Sequence, residues 1–302
     1  MSYKFKSDSV RPARGRILAV IVVFERGLED VKAWPFLRSS LDTQLAQHVT
    51  SSCGLNIQQV LIYDNSALER ARPEEPLPGC VYVHDPSNGG TTAAYSRACE
   101  VALDAGVDWL LLLDQDTALP LGFLAAADIA LTQTPLHPAA LVPWVFHGSR
   151  IASPARLTST GRVVPLKYEE AHDVQDLTAI SSGSLLSVPA LVEHLPMPSG
   201  LWLDYVDHWI FAQFKYRGLP VVIFDSSIEH NLSIFALESM NARRLASILD
   251  GELLFIWTLG IGARLVYPLR LTVRLLRYMF IRPVLAFHLL AWFFRRLTKS
   301  MR

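Results

Sequence analysis

The sequence has few cysteines and few charged residues, and its last 50 residues contain no acidic residue at all. Cys53, Cys80 and Cys99 are odd in number and lie outside any Cys-x-x-Cys pair. We therefore expect ordinary thiols in a reducing compartment. Charged residues make up 19% of the chain, below the roughly 25% usual for soluble domains, and this suggests a membrane contact.

Long apolar runs are also missing. No apolar signal core precedes the first predicted strand, so nothing suggests secretion and the cytoplasm is the expected compartment. Residues 253–263 and 283–294 are apolar stretches of 11 and 12 residues. A perpendicular span needs about 20 residues, so a single transmembrane helix is not favoured.

The C-terminal region, residues 251–302, is basic. Nine arginine and lysine residues follow Glu252, and Arg270, Arg274 and Arg277 recur at helical spacing after Pro268. This pattern is typical of a helix that lies in a membrane interface with its arginines toward anionic headgroups. Alternatively, the region packs on the core or on a second subunit, or forms a re-entrant hairpin. The single charge sign favours membrane association over oligomerisation.

The rest of the chain predicts one large α/β domain. Residues 1–15 are polar and are expected to form a flexible N-terminal tail. Apolar runs at 17–24, 59–64, 80–84, 107–114, 140–146 and 219–224 predict strands, several of them buried on both faces, and helical patterns separate most of them. This alternation predicts a mostly parallel sheet flanked by helices over residues 16–250.

Acidic residues follow the predicted strands at the edge where open α/β sheets bind ligands. Asp64 and Asp85 follow the second and third strands, and Asp114 and Asp116 follow the fourth. Two carboxylates two positions apart on an extended backbone project to the same side. A hard cation such as Mg²⁺ or Mn²⁺ is their natural partner, although Asp116 alone could instead cap the following turn.

Three further segments carry candidate site residues. Asn88-Gly89-Gly90 precedes an alanine-rich helix and could let a nucleotide approach the backbone, or be a plain loop. Residues 203–209 gather two carboxylates and two aromatic residues near a helix start, which suits a site that holds a sugar and takes a proton. A carboxylate near a helix start can also be a simple helix cap, and this explanation fits Asp204 better than Asp207. His230 follows the last predicted strand, and only proximity to Asp116 would make it a ligand.

Taken together, these motifs resemble the inverting family-2 glycosyltransferases, and within them the bacterial rhamnosyltransferase-like branch. The likeness spans about residues 16–235 and depends on the order and spacing of the motifs. They are an apolar first strand, Asp64-Asn65-Ser66, Asn88-x-Gly90, Asp114-Gln115-Asp116-Thr117, Ser182-Gly183, Asp204-Tyr205-Val206-Asp207 and His230.

The resemblance implies a glycosyltransferase-A fold, which is Rossmann-like, and a role for each motif. Asp64 would contact the nucleoside base and Asp114 the ribose. Asp116 would bind the metal on the diphosphate, with His230 as a second ligand. Asp207 would be the general base.

The remaining motif residues fall into two groups. Asn88 and Gly90 are assigned to the donor, and a larger set to the sugar or the acceptor: Ser182, Gly183, Asp204, Tyr205, His208 and Trp209. The chain departs from the family pattern at Gln213, where many relatives carry an arginine, and at Thr91-Thr92, where an apolar pair is usual.

The expected function is transfer of a sugar, with dTDP-L-rhamnose as the favoured donor and a UDP-sugar as the main competitor. The expected acceptor is a growing or lipid-linked surface glycan at the cytoplasmic face of the bacterial inner membrane, held there through the inner leaflet. Homo-oligomerisation stays open, and no nucleic-acid partner is expected.

Two other functions compete with this one. A nucleotidyltransferase would need basic residues that grip a triphosphate near the first loop, which offers Glu25-Arg26-Gly27. A non-catalytic, membrane-associated nucleotide-sugar-binding or scaffold protein would not need to keep Asp116, Asp207 and His230.

Overall fold

The structure is a computed structural model that describes residues 15–45, 53–135, 137–171, 176–198, 200–230 and 240–300. Nearly all of the predicted tail, residues 1–15, therefore lies outside the described residues. The strands are β1 (Arg16–Val23), β2 (Asn56–Asp64), β3 (Cys80–His84), β4 (Trp109–Asp114), β5 (Ala140–His147), β6 (Arg150–Ser153), β7 (Ala155–Leu157), β8 (Val163–Pro165), β9 (Leu177–Thr178), β10 (Leu185–Ser187) and β11 (Val221–Glu229). The helices are α1 (Trp34–Leu45), α2 (Gly90–Ala105), α3 (Phe123–Gln133), α4 (Val188–Val192), α5 (Val206–Tyr216), α6 (Ala242–Thr258), α7 (Ile261–Ile281) and α8 (Pro283–Ser300).

The central sheet has the strand order β11-β5-β10-β4-β1-β2-β3, with β6 paired to β5. Pairing is parallel between β1 and β2, β1 and β4, β2 and β3, and β5 and β11. Strand β10 is antiparallel to both of its neighbours. The predicted mostly parallel sheet is thus confirmed, and the carboxyl ends of β2, β4 and β11 lie at one edge.

Strand β4 shows why the sequence builds this sheet. Leu110 and Leu112 pack into one hydrophobic cluster with α2 and α5, while Leu111 and Leu113 pack into the other with α1 and α3. All four leucines are at most 1% exposed. A strand covered on both faces needs a continuous apolar run, as the sequence predicted.

The three C-terminal helices do not form a separate unit that begins at residue 251. Helix α6 crosses that predicted boundary, and Leu249 and Phe255 on either side of it are both completely buried. Leu249 packs with Leu285 and Trp292 of α8. Phe255 packs with the main core. Helix α6 therefore joins the two regions.

The arginines of α7 do not all face outward, contrary to the membrane prediction. Glu252 is completely buried, and its carboxylate accepts hydrogen bonds from Arg270 at 3.2 Å and from Arg274 at 2.7 and 3.0 Å. The hydroxyl of Tyr267 lies 3.3 Å from the same carboxylate. A buried carboxylate requires such partners, so these two arginines pin α7 to α6. Arg277 is exposed, as predicted.

We expect Glu252→Gln to lower the free energy of unfolding by about 3 kcal/mol, because it leaves two arginines without their buried counter-charge. Urea denaturation measures this. The control is Glu100→Gln, which breaks the exposed pair with Arg97 and should cost less than about 1 kcal/mol. If both variants lost the same small amount of unfolding free energy, the contacts of Glu252 with Arg270 and Arg274 would not be what holds α7 against α6.

The outer surfaces of α7 and α8 are apolar. Exposed residues on α7 include Ile261, Leu265, Leu269, Val273 and Phe280, and those on α8 include Val284, Phe287 and Phe294. Phe280 is 88% exposed. Among the described residues, no helix is both long enough and apolar enough to cross a membrane.

Candidate active site

Three side chains converge at the carboxyl edge of the sheet. Asp114 ends β4, Asp116 lies two residues further on in a turn, and His230 follows β11. Nε2 of His230 is 3.6 Å from Oδ2 of Asp114, and its Nδ1 is 3.2 Å from Oδ1 of Asp116. The sheet order separates β4 from β11 by two strands, and only the fold brings this histidine to the two aspartates.

The charges in this cluster perturb one another. Burial raises the pKa of Asp114, and the charges of Asp116 and Asp207 raise it further, against opposing effects of His230 and Ser182. The pKa of His230 is also raised: burial would lower it, but contact with Asp116 and the charges of both aspartates outweigh burial. Negative charge is therefore concentrated at this edge without an arginine or lysine in the cluster itself.

These residues fit a divalent cation. Asp114, Asp116 and His230 each offer a ligand atom within 4.8 Å of the others. Nδ1 of His230 is buried and makes no hydrogen bond of good geometry, although it lies next to the Asp116 carboxylate. Carboxylate oxygens and one imidazole suit Mn²⁺, and Mg²⁺ through the carboxylates. Asp114, assigned to the ribose by resemblance, here lies within the metal cluster.

Ser182 and Gly183 form hydrogen bonds to Asp114 and to the backbone of β4. The Ser182 hydroxyl donates to Oδ2 of Asp114, and the N–H of Gly183 donates to the carbonyl of Leu112 at 2.8 Å. Gly183 has φ +76°, and a Cβ there would lie 2.9 Å from Ile228. Both residues thus hold β4 and its aspartate, and their contact with sugar stays a prediction.

Asp64 is completely buried. Its carboxylate accepts the N–H groups of Ser66, Arg70 and Ala71 and the hydroxyl of Tyr82, all within 3.0 Å. Burial would raise its pKa, but hydrogen bonds from the side chain of Ser66 and from these backbone N–H groups prevail and lower the pKa to about 2. Asp64 therefore shapes the loop of residues 65–71 that follows β2, and its contact with a nucleoside base stays a prediction.

Gly90 lies against protein rather than open space. Its φ is +74°, and a Cβ there would lie 2.2 Å from the carbonyl oxygen of Trp202. The indole N–H of Trp202 donates to the carbonyl of Asn88 at 2.7 Å. Gly90 thus allows residues 201–203 to dock on the start of α2. The approach of a nucleotide to this segment stays a prediction.

The threonines after Gly90 also serve this docking. Helix α2 begins without a side-chain cap, and the hydroxyls of Thr91 and Thr92 instead donate to carbonyls of the 201–203 segment. This explains why the chain has a polar pair at that point where the resembled family has an apolar one.

Asp207 lies in the first turn of α5, directly after this segment. Tyr205 precedes the helix with φ +66°, a conformation that costs free energy for a residue with a Cβ. Oδ1 of Asp207 accepts the N–H of His208 at 2.7 Å. Its charge contributes to the raised pKa of Asp114, so the predicted base lies within electrostatic range of the Asp114–Asp116–His230 cluster.

The neighbours of Asp207 that were assigned to the sugar or the acceptor all have contacts within the protein, and their sugar contacts stay a prediction. Asp204 forms a bidentate pair with Arg244 of α6 at 2.5 and 2.8 Å. Trp209 is 7% exposed and belongs to the core. Nδ1 of His208 lies 2.8 Å from the Thr178 hydroxyl, and the ring of Tyr205 stacks on Phe255. These contacts hold Asp207 in place from both sides.

Two residues near the site were not singled out from the sequence. Lys32 is exposed, and its backbone N–H donates to the Gln115 carbonyl at 3.1 Å. Its positive charge acts to lower the pKa of both Asp116 and His230. Arg244 anchors the loop before Asp207. Lys32 could have been found from the sequence, because it is one of two basic residues, with Arg26, between the first strand and the first helix. Arg244 had no such signal, because its partner is 40 positions away.

Known proteins were compared with this chain at the level of sequence and of structure. No protein-family profile matches the sequence, and no curated protein matches it. A crystal structure of GalNAc-T7 with UDP, GalNAc and Mn²⁺ superposes with a TM-score of 0.51 at 12% identity over 80% of this chain. Two crystal structures of S. aureus TarS, one of them residues 1–349, give TM-scores of 0.43 and 0.42 at 10% and 11% identity over 82% and 78% of this chain.

The lengths of the matched proteins differ from that of this chain. The superposition covers 48% of the GalNAc-T7 chain, so this protein spans about half the length of that neighbour. For the two TarS structures the covered shares are 41% and 70%. At these identities the likeness concerns the fold. The chain has a mixed α/β glycosyltransferase-A fold, with a mostly parallel central sheet flanked by helices and three helices at its C-terminal end.

Proposed function

We propose that this protein is a divalent-metal-dependent, inverting glycosyltransferase that uses a nucleoside-diphosphate sugar. The observation that carries the proposal is the Asp114–Asp116–His230 cluster at the carboxyl edge of a glycosyltransferase-A sheet, with Asp207 within electrostatic range. A nucleotidyltransferase is less well supported, because basic residues that could grip a triphosphate are few around this cluster.

The donor would lie across the edge of the sheet with its diphosphate at the cluster. Asp116 and His230 would hold Mg²⁺ or Mn²⁺, and Asp114 stands beside them. The cation would stabilise the negative charge that develops on the leaving diphosphate. Lys32 adds a positive charge on the same side. The loop 65–71, which Asp64 holds in shape, would form the wall next to the nucleoside base.

Asp207 would act on the acceptor. Its carboxylate takes the proton of the acceptor hydroxyl while that oxygen bonds to the anomeric carbon and the bond from that carbon to the diphosphate breaks. A single carboxylate on the face opposite the leaving group is sufficient, so no covalent intermediate forms and the configuration at the anomeric carbon inverts.

The proposed donor is dTDP-L-rhamnose, on the resemblance of the motifs to the rhamnosyltransferase-like branch. A UDP-sugar is the second candidate, and the specific observation in its favour is that the superposed GalNAc-T7 structure contains UDP. Thymine and uracil have the same hydrogen-bond donors and acceptors. The affinities for dTDP and for UDP therefore have to be measured side by side.

The test of the proposed function is calorimetric titration with dTDP, UDP and GDP, each with and without Mn²⁺. We expect one nucleotide to bind with an affinity that depends on the metal. Absence of binding by every nucleotide in both conditions would contradict the transferase proposal and favour a scaffold protein.

We further propose that the apolar face of α7 and α8 lies on the inner leaflet at the cytoplasmic face of the bacterial inner membrane. The residues of α7 that form this face recur every three or four positions, so they share one side of the helix. No acidic residue follows Glu252, and Arg277 is exposed beside the face. Anionic lipid complements this charge, whereas a second copy would bring like charges together. A lipid-linked or growing surface glycan is accordingly the proposed acceptor.

Leu269→Glu is expected to weaken binding to phosphatidylglycerol vesicles about tenfold or more, because it removes apolar contact and adds repulsion. Leu269 is 65% exposed, so the fold should not depend on it. Co-sedimentation measures the binding. Leu103→Glu, at an exposed position of α2, is the matched control and should bind like the unchanged protein. A stable dimer that is lost in Leu269→Glu, without any vesicle binding, would assign the face to self-association instead.

A further inference from the structure

A cavity of about 670 Å³ lies beside the segment that leads to Asp207. Its wall includes Asn88 and Trp202 on one side, Arg243 and Ser247 of α6 on another, and Arg295 of α8. Ligand pockets for small molecules have volumes of about 300–1,000 Å³, so this cavity is large enough for one or two sugar rings. It is separate from the metal cluster, whose residues do not line it.

Among the described residues that line the cavity, the charged ones are Arg243, Arg295 and Asp250. Nε of Arg295 donates to the Ala291 carbonyl at 3.3 Å, and the carboxylate of Asp250 is engaged by two other side chains. Oδ1 of Asp250 accepts hydrogen bonds from Arg296 at 2.6 Å and from the indole of Trp292 at 2.9 Å. A ligand that carries phosphate oxygens matches two guanidinium groups in this arrangement.

The cavity is physically connected to the proposed base. Ser247 lines it and lies three positions after Arg244 on α6, and Arg244 pairs with Asp204, three residues before Asp207. Trp202 lines it five residues before Asp207, and its ring is fixed by the hydrogen bond to Asn88. A fixed indole offers an apolar face on which a sugar ring can pack.

We propose that this cavity is the acceptor subsite and that it takes a saccharide bearing a phosphate or diphosphate group. The proposal rests on the proposed function. Trp202 contacts the sugar, and Arg243 and Arg295 bind the phosphate. Arg295 belongs to α8, whose outer face carries exposed apolar residues, and Arg243 belongs to α6, which packs against α8. The subsite would therefore receive the phosphate end of a lipid-linked glycan from the membrane side.

The test uses glucose 1-phosphate as the probe and methyl glucoside as its uncharged counterpart, titrated calorimetrically with UDP or dTDP and Mn²⁺ saturating the donor site. Arg243→Gln and Arg295→Gln are each expected to weaken binding of the phosphate probe about tenfold or more, since each removes a charged hydrogen-bond donor. Arg277→Gln removes the same charge from α7 outside the cavity. The affinity of this variant for glucose 1-phosphate should stay within about twofold of that of the unchanged protein. Ala246→Phe, which fills the cavity, should weaken both probes.

Three results would overturn the assignment. The first is equal weakening by Arg277→Gln, which would mean that only overall charge matters. The second is absence of probe binding while the nucleotide still binds, which would leave the donor-site proposal intact. The third is a loss of vesicle binding by Arg243→Gln with unchanged affinity for glucose 1-phosphate, which would assign the cavity to lipid headgroups. Failure of nucleotide binding itself would instead contradict the proposed function.

Discussion

Asp207→Asn is expected to reduce sugar transfer by about a thousandfold or more while leaving nucleotide affinity within about twofold of the unchanged protein. A positioned general base contributes about 10²–10⁴ to a rate, and an amide cannot take a proton. The amide oxygen of asparagine can still accept the N–H of His208, so the start of α5 is retained. The measurement is transfer of radiolabelled sugar from dTDP-rhamnose or a UDP-sugar to a bacterial membrane fraction.

The control for this variant is Asp225→Asn, which removes a carboxylate at an exposed position of β11. Its transfer rate should be unchanged. Near-normal transfer by Asp207→Asn would show that another group takes the proton. Equal losses of transfer and of nucleotide affinity would instead indicate that Asp207 contributes to the donor site.

Asp116→Asn is expected to abolish most of the gain in nucleotide affinity that Mn²⁺ provides. The substitution replaces an anionic oxygen ligand with a neutral amide beside His230, at a contact of 3.2 Å. Loss of residues that only support a metal ligand costs about 10–100-fold in metal affinity, and loss of the ligand itself should cost at least as much. Titration of the nucleotide at several Mn²⁺ concentrations measures the effect.

Without metal, Asp116→Asn and the unchanged protein should bind the nucleotide equally weakly. The matched control is Asp104→Asn, at an exposed position of α2, which should follow the unchanged protein at every metal concentration. A manganese dependence of Asp116→Asn that matches the unchanged protein would exclude Asp116 as a ligand.

Both predictions depend on residues that could be identified from the sequence. Asp114 and Asp116 come after four leucines, and the sequence predicted both carboxylates on one side of an extended backbone. In the structure the strand ends at Asp114 and a turn carries Asp116. The position of His230 after the last strand suggested a ligand only on condition that it lay near Asp116. The structure meets that condition at 3.2 Å, through a sheet order that no local pattern contains.

Several other candidate residues have tertiary contacts that the sequence did not indicate. Asp64 and Gly90 resemble ligand-binding residues in sequence, yet one is buried under four hydrogen bonds and the other lies against Trp202. Arg270 and Arg274 have the spacing of a headgroup-binding helix, but they bind the buried Glu252. In each case the residue type and spacing suit either a ligand contact or a contact within the protein. The residue that lies opposite in the fold shows which protein contact is made.

The sequence by itself determined the class of fold, its central strands and the acidic edge of the sheet, because burial on both faces imposes a local pattern of apolar residues that can be recognised without a partner. The tertiary structure decided which charged and polar side chains stay free for a ligand. That depends on contacts between segments far apart in the chain, such as Asp204 with Arg244 and Glu252 with Arg274. A charged side chain in the interior must be fully paired, whereas one in a site must keep an atom open to its ligand, and this difference exists only in three dimensions.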